Sequence, residues 1–402
     1  MTTVGVQQER AVPNTAAEIL AAAEAIVPEL QARADEIDHN RSLPTDIVEL
    51  LRATGVFRMG FGEQYGGPAL TAVEQTQVVE VLARGNPTAG WCAMVGMDSG
   101  LFADYLPESA VREMFPSPDL ITAGMLFAAG RADRVPGGYR LSGRWGFGSG
   151  ILHADWVSAG AVTYTDGQQD LTASGKPNWR IMMVRPSEVR LIDNWYPTGL
   201  VGTGSADYEI DDVFVPGDHS FSFASSRKRS GPLSTPDLQM RKMPGVALGV
   251  ARAALDYVRE VASSKFNRML GIRWADDYRV QYTLGECEMD FITMRHGVYR
   301  SLQHRWDRLE NGASLDDFTP DERIETMLTR RYAFRCASSI VRRLYDLMAT
   351  SSIYASSPMD RWLRDLETMR QHTVAQDRIA QSAGAYLTGG TPQFELALGI
   401  VD

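Results

Sequence analysis

Apolar residues recur at helical spacing from about 14 to 115, as in TAAEILAAAEAIVPELQARADEID and TDIVELLRATGVF, so each segment carries one face set to pack inward. Thr45, just after Pro44, is placed to cap one of these helices. A Gly66-Gly67-Pro68 turn precedes a further helix, and PTAGWCAMVGMDSGLFADYL then runs small and apolar on nearly every face, which predicts burial. Between about 120 and 220 the period changes to two: PGGYRLSGRW, WVSAGAVTY, WRIMMV and ADYEIDDVFVP alternate as β-strands do. Pro136-Gly137-Gly138 and Thr165-Asp166-Gly167 are the expected hairpin turns, and QQDLTASGKPN an expected mobile loop. From about 237 to 388 long helical stripes return, as in GVALGVARAALDYVREVASSKF, and helices of that length pack as a bundle. The expected organisation is α+β: a helical domain over 14–119, a β domain over 120–235 with SFASSRKRSGPLSTPD as linker, and a helical bundle over 236–402. Residues 1–13 read as a frayed tail.

Composition narrows the class. At 402 residues with 44% hydrophobic and 22% charged content, the chain can bury a large core in more than one layer. A formal charge of −10 argues against nucleic acid as partner, because phosphate binding needs excess Lys and Arg. Cys92, Cys287 and Cys336 form no CxxC and no even framework, which fits a reducing, cytoplasmic compartment. The first residues have no signal-peptide pattern, and no apolar run approaches the roughly 18 residues of a membrane span. There is no GxGxxG after a strand, no GxxxxGK[ST] and no GxSxG, and the six histidines show no HExxH. Redox chemistry in this chain would need an organic cofactor.

Two stretches stand out. In LSGRWGFGSGILHADW, alternation along a strand would put Trp145, Phe147 and Ser149 on one face, followed by Gly150, where aromatics and a hydroxyl suit a planar heteroaromatic. The same aromatics would equally serve a twisted strand packing into a β core. In DLETMRQH, Asp365 and His372 share a predicted late helix; His372 is either a satisfied helix histidine or an acid/base group. Arg364-Asp365 and the basic run Arg268, Arg273, Arg279 are each either solvated charges or ligand contacts.

The order helical, β, helical, together with LPTDIVELLRATGVFRMGFGEQYGG, GLVGTGSADYEIDDVFVP and RVQYTLGE, resembles the acyl-CoA dehydrogenase fold over essentially residues 15–390. That resemblance implies an N-terminal helical domain, a central β-barrel or sandwich and a C-terminal four-helix bundle. The departures resemble one branch of it. The dehydrogenases' Thr-Glu-Pro loop is replaced by TAGMLFAAGRAD, the position of their late-helix glutamate is Thr373, and their alternative position falls near DLQMRKMPG, which holds no Glu. Abstraction of an acidic α-proton then lacks an agent. What remains resembles the two-component flavin-dependent monooxygenases, in which a Trp-to-Ser-Gly segment (Trp145 to Gly150) is followed by a histidine (His153), and a late Arg-Asp pair (Arg364, Asp365) by another (His372).

The resemblance implies reduced FMN or FAD and O2 as co-substrates, an NAD(P)H-dependent flavin reductase as partner, a homotetramer, and oxygen transfer through a flavin hydroperoxide. By it Ser149 hydrogen-bonds the flavin, His372 stands by the oxygen or the substrate, Gln281 belongs to the flavin site, and Arg268 contacts flavin phosphate across a subunit interface. Trp91 to Phe102 walls the pocket. Asp98 stands where aromatic hydroxylases of this branch commonly carry a histidine. A carboxylate there would accept a phenol proton, pair with an amine, or merely cap a helix. The substrate classes left open are a phenol, a polycyclic natural product and an amine. A dehydrogenase with a displaced base and a non-catalytic scaffold subunit are the competing functions.

Overall fold

In a computed structural model, which describes residues 12–224, 235 and 237–401, the chain runs helices, sheet, helices. Most of the expected tail and of the expected linker lies outside the described residues. The first group is α1 (Ala16–Ala32), α2 (Ala34–Asn40), α3 (Thr45–Ala53), α4 (Ala72–Gly85), α5 (Pro87–Gly96), α6 (Ser99–Ala103) and α7 (Glu108–Met114). Thr71 and Glu74 close a reciprocal capping box on α4, and the Asn86 side chain accepts from the Ala89 amide at the start of α5. Thr45 is no cap: it is the first helical residue of α3, Pro44 holds the cap position, and no side chain caps that end. The apolar α5 is buried nearly throughout, as its composition predicted.

The barrel or sandwich expected next takes the form of one eight-stranded sheet, β1 (Thr122–Val135), β2 (Gly138–Trp145), β3 (Trp156–Thr165), β4 (Gln168–Gln169), β5 (Trp179–Val184), β6 (Arg190–Ile192), β7 (Asp207–Pro216) and β8 (Ser220–Phe221). The order is β6-β7-β2-β1-β3-β5-β8, with β4 on β3; β1 and β3 run parallel and every other ladder is antiparallel. The β1–β2 hairpin turns at Gly137 and the β3–β4 hairpin at Asp166-Gly167, all with positive φ, as the turn residues predicted. The stretch expected to be a mobile loop is pinned by a bridge between Leu171 and Pro177 and borders the site described below.

The sheet corrects one local expectation. β2 ends at Trp145, and Phe147 has φ 63°, so Trp145, Phe147 and Ser149 do not share a strand face. Trp145 points into the sheet's own core, stacked on Tyr208 at 5.4 Å, with its indole N–H donating to the Gly160 carbonyl at 2.8 Å. Gly130 makes the slot, since a Cβ there would lie 2.2 Å from the indole. The core-packing alternative describes this tryptophan.

The C-terminal bundle comprises α8 (Leu238–Arg241), α9 (Pro244–Ser264), α10 (Tyr278–Glu310), α11 (Pro320–Met348), α12 (Pro358–Met369) and α13 (Asp377–Thr388). α11 packs against α9, α10, α12 and α13, while α4 packs along α9 and joins the first helices to the bundle. One continuous apolar core results, running from Ile19 to Leu398. The cavity opens where α5, the sheet and the end of α12 meet.

Candidate functional site

A cavity of about 800 Å3 lies among α5, β1, the 147–149 and 195–205 segments and residues 371–378. Its walls are largely apolar: Trp91, Met94 and Phe102 from the first helices, Met125 and Leu126 from β1, Met240 and Met243 from the bundle. Such size and lining suit an organic ligand with a few polar anchors.

The anchors form a chain of hydrogen bonds. Trp91 Nε1 donates to Ser149 Oγ at 3.1 Å, Ser149 Oγ meets Ser205 Oγ at 2.7 Å, and Ser205 Oγ meets Thr203 Oγ1 at 2.7 Å. Thr203 Oγ1 bonds the Leu200 carbonyl at 2.8 Å, and the Leu200 amide donates to Asp365 Oδ1 at 2.6 Å. Asp365 is therefore a positioning group at the back, not a wall of the cavity. Burial pushes its carboxyl up to about 7, against the Leu200 amide, which favours the charged form. Packing there is close: a Cβ on Gly199 would stand 2.2 Å from the Arg364 carbonyl. Arg364 itself bonds Asp360 at 2.8 Å and the Thr198 carbonyl, on the outer side.

His372 lines the cavity, but not from a helix. α12 stops at Met369, and His372 sits in the turns that follow, its amide on the Met369 carbonyl at 3.0 Å. Its ring stands edge-to-face on Trp91 at 5.4 Å and 77°. Nδ1 accepts from the Val374 amide at 3.4 Å, which leaves Nε2 to carry the proton of the neutral ring. Burial, with Arg330 and Arg378 nearby, pushes the imidazole down to about 4.

Asp98 also lines the cavity and is ion-paired with Lys242, which is 3% exposed. It occupies the cap position of α6 without a side-chain capping bond, so its partner is the lysine rather than the helix end. Burial raises its carboxyl and Lys242 opposes that. The remaining carboxylate in the lining, Glu395, pairs with Lys176 at 2.8 Å. Every lining carboxylate among the described residues thus has a cationic partner.

Phe147, 68% exposed, and Trp195 form an aromatic pair at the mouth, 6.3 Å apart. Gly150, with φ 74°, turns the chain behind Ser149, and His153 stands behind it; neither lines the cavity, and burial pushes His153 down to about 4. Arg268 is exposed in the short hairpin of Phe266–Asn267 and Ile272–Arg273, and Gln281 is exposed on α10, bonding the Ala275 carbonyl at 2.8 Å. Within one chain both lie away from the cavity. Sequence reasoning missed Ser205, Thr203, Trp195 and Lys242. The first two were visible in GTGSADYEIDDVFVP, where consecutive small hydroxyl residues follow a glycine.

The donor set fits a flavin: flat apolar walls, a row of hydroxyls that can meet a ring edge, and aromatics at the mouth. Residues 14–111 match the family model "Acyl-CoA dehydrogenase, N-terminal domain" and residues 243–377 "Acyl-CoA dehydrogenase, C-terminal domain". The chain is 29% identical to indole-3-acetate monooxygenase of Pseudomonas putida, covering 90% of this chain and 91% of that one. It is 25% identical to the oxygenase component of the FADH2-dependent resorcinol hydroxylase of a Rhizobium sp., covering 90% and 92%. Among solved structures, XiaF from Streptomyces sp., in complex with FADH2 and glycerol, superposes with a TM-score of 0.85 at 24% identity over 94% of this chain and 96% of that one, a likeness of fold. With the helical, sheet and helical parts in that order and both terminal domains matched, the chain belongs to the acyl-CoA dehydrogenase family, and the relatives it resembles there are flavin-dependent monooxygenases.

Proposed function

We propose that this chain is the oxygenase component of a two-component system that uses reduced FMN or FAD and O2 to hydroxylate a small aromatic or heteroaromatic substrate. The observation that carries the reading is the hydroxyl chain Trp91–Ser149–Ser205–Thr203 along a largely apolar cavity whose carboxylates are all paired. Removing an acidic α-proton needs a free carboxylate at the ring, so this lining disfavours a dehydrogenase. The retained anchors likewise disfavour a scaffold role.

When bound, reduced flavin supplies the electrons and activates oxygen. The protein positions and excludes water. Ser149 and Ser205 hold the ring edge, and Trp91 fixes Ser149 and His372 at once. His372 Nε2–H donates to an oxygen or holds the substrate. Asp98, already neutralised by Lys242, accepts from a substrate hydroxyl and has no charge left to attract an amine, which favours a phenol or indole over an amino sugar. Trp145 serves the sheet core, and Arg364 with Asp365 holds the 198–203 segment in place. Arg268 and Gln281 reach a flavin only from a neighbouring copy in a homotetramer. A separate NAD(P)H-dependent reductase supplies the reduced flavin, in the cytoplasm.

Single-turnover reaction of the protein, reduced flavin and aromatic substrates with heavy-isotope O2 tests this. One labelled oxygen atom in the product supports it; stoichiometric peroxide with every aromatic, and no label, overturns it. Ser149→Ala is expected to weaken flavin binding about tenfold, the worth of one hydrogen bond in a dry site, and to leave the Trp91 N–H unpaired. An unchanged Kd for flavin by fluorescence titration would remove Ser149 from the anchor set.

A further inference from the structure

Guanidinium nitrogens without hydrogen-bond partners stand in and behind the wall formed by residues 371–378. Arg330 of α11 is 1% exposed, and neither its Nε nor one terminal nitrogen, Nη2, has a hydrogen-bond partner. Arg378, in the first turn of α13, lines the cavity with its Nε buried and unpartnered, its guanidinium 5.4 Å from the ring centre of Phe394. Thr373 Oγ1, in the same wall, is also buried without a partner. Deeper in, Arg241 and Arg305 share the single buried carboxylate of Asp237, at 2.8 and 3.1 Å. Among the described residues no ion pair reaches Arg330 or Arg378, and the cavity's own carboxylates are taken by Lys242 and Lys176. Asp237 also acts on Arg330, so one carboxylate serves three buried guanidinium groups; buried N–H donors without acceptors are unfavourable, whereas an oxyanion brought into the cavity would meet charge-assisted donors.

We propose that this wall is a carboxylate subsite: the substrate is an aromatic or heteroaromatic acid whose carboxylate rests on Arg378 and Thr373, with Arg330 behind, and whose ring lies toward Trp91, Ser149 and His372. The inference rests on the monooxygenase reading and names its substrate class. It also links binding to chemistry. Burial holds the His372 imidazole down and Arg330 and Arg378 add to it; a bound carboxylate offsets the arginines' part, so the acid raises the basicity of the histidine beside its ring. A flavin phosphate presents the same oxyanion chemistry, and the test separates the two sources.

Calorimetric titration of the full chain, with FMN or FAD present, compares indole-3-acetate and phenylacetate with their neutral amides. Each acid is expected to bind at least about tenfold tighter than its amide, a preference that Arg378→Gln and the gentler Thr373→Val reduce while flavin Kd stays within about twofold. Equal binding of acid and amide, or no binding of either, overturns the proposal. So does a loss of flavin affinity in Arg378→Gln with acid preference intact, which would assign the wall to phosphate. The wild-type comparison needs no variant to fold. An acid preference without labelled oxygen in any product keeps the subsite and removes the reaction class.

Discussion

His372→Ala is expected to lower product formation per reduced flavin by about 10²-fold or more, the usual scale for removing a positioned proton donor or acceptor, with flavin Kd changed by less than about threefold. The asymmetry follows from the geometry: His372 touches Trp91 and the cavity, whereas the anchors proposed for flavin are the linked hydroxyls of Ser149, Ser205 and Thr203. Reduced flavin should still be consumed, its oxygen leaving as peroxide. Product analysis beside oxygen consumption checks this, and a parallel loss of flavin binding and product would make His372 structural. The low imidazole pKa, about 4, keeps the ring neutral above pH 5 or so. In the unfolded chain the same group takes a proton below about 6.5. Acidification from 6.5 toward 4 therefore favours unfolding, with full stability above that window and a loss of up to about 3 kcal/mol below it. His372→Gln should flatten the fall in Tm between pH 6.5 and 4.5; an unaltered slope would contradict the burial argument.

Asp365→Ala is expected to destabilise the protein by about 3 kcal/mol and to weaken flavin binding together with stability. The loss leaves the Leu200 amide buried without an acceptor, worth about 1–3 kcal/mol, and adds a small void in a close-packed joint. Flavin binding follows because Leu200 precedes Thr203 and Ser205, whose hydroxyls hold Ser149. Asp365→Asn keeps an acceptor oxygen and should keep most of both. The pH response runs opposite to that of His372. A carboxyl at about 7 in the folded chain, against the ordinary 3.8, binds its proton more tightly when folded. Its contribution is complete below about pH 4 and is lost as pH rises through 7. Asp365→Asn should remove that alkaline loss, measured by Tm from pH 5 to 8; retention of the full loss in the variant would place its origin elsewhere.

The order of helical and β parts was legible in the chain because it rests on local facts, and the flavin branch because the chain's motifs resemble that family. Helical and two-residue periods depend on which faces are apolar, and hairpin turns on residues that accept positive φ, while Thr373 and DLQMRKMPG lack a glutamate only when set against the dehydrogenase pattern the chain resembles. Ser149, Trp91, Phe102, Asp98 and His372 were singled out by type and motif, and the fold brings all five to one cavity.

Other features depended on distance and direction in space. Strand alternation placed Trp145 beside Phe147 and Ser149, but the strand ends at Trp145, and the slot at Gly130 draws the indole into the sheet. Helical spacing joined Asp365 to His372, yet α12 ends between them, so one braces the 198–203 segment while the other faces the cavity. Lys242 as partner of Asp98, and the unpartnered guanidinium nitrogens of Arg330 and Arg378, are properties of residues far apart in the chain. The sequence by itself determined the periods, the turns and the chemical inventory, because these are set by each residue and its near neighbours. Which charges are paired, which donors stay open and which aromatic fills a core were decided only by the tertiary structure, because pairing and desolvation arise where distant segments meet.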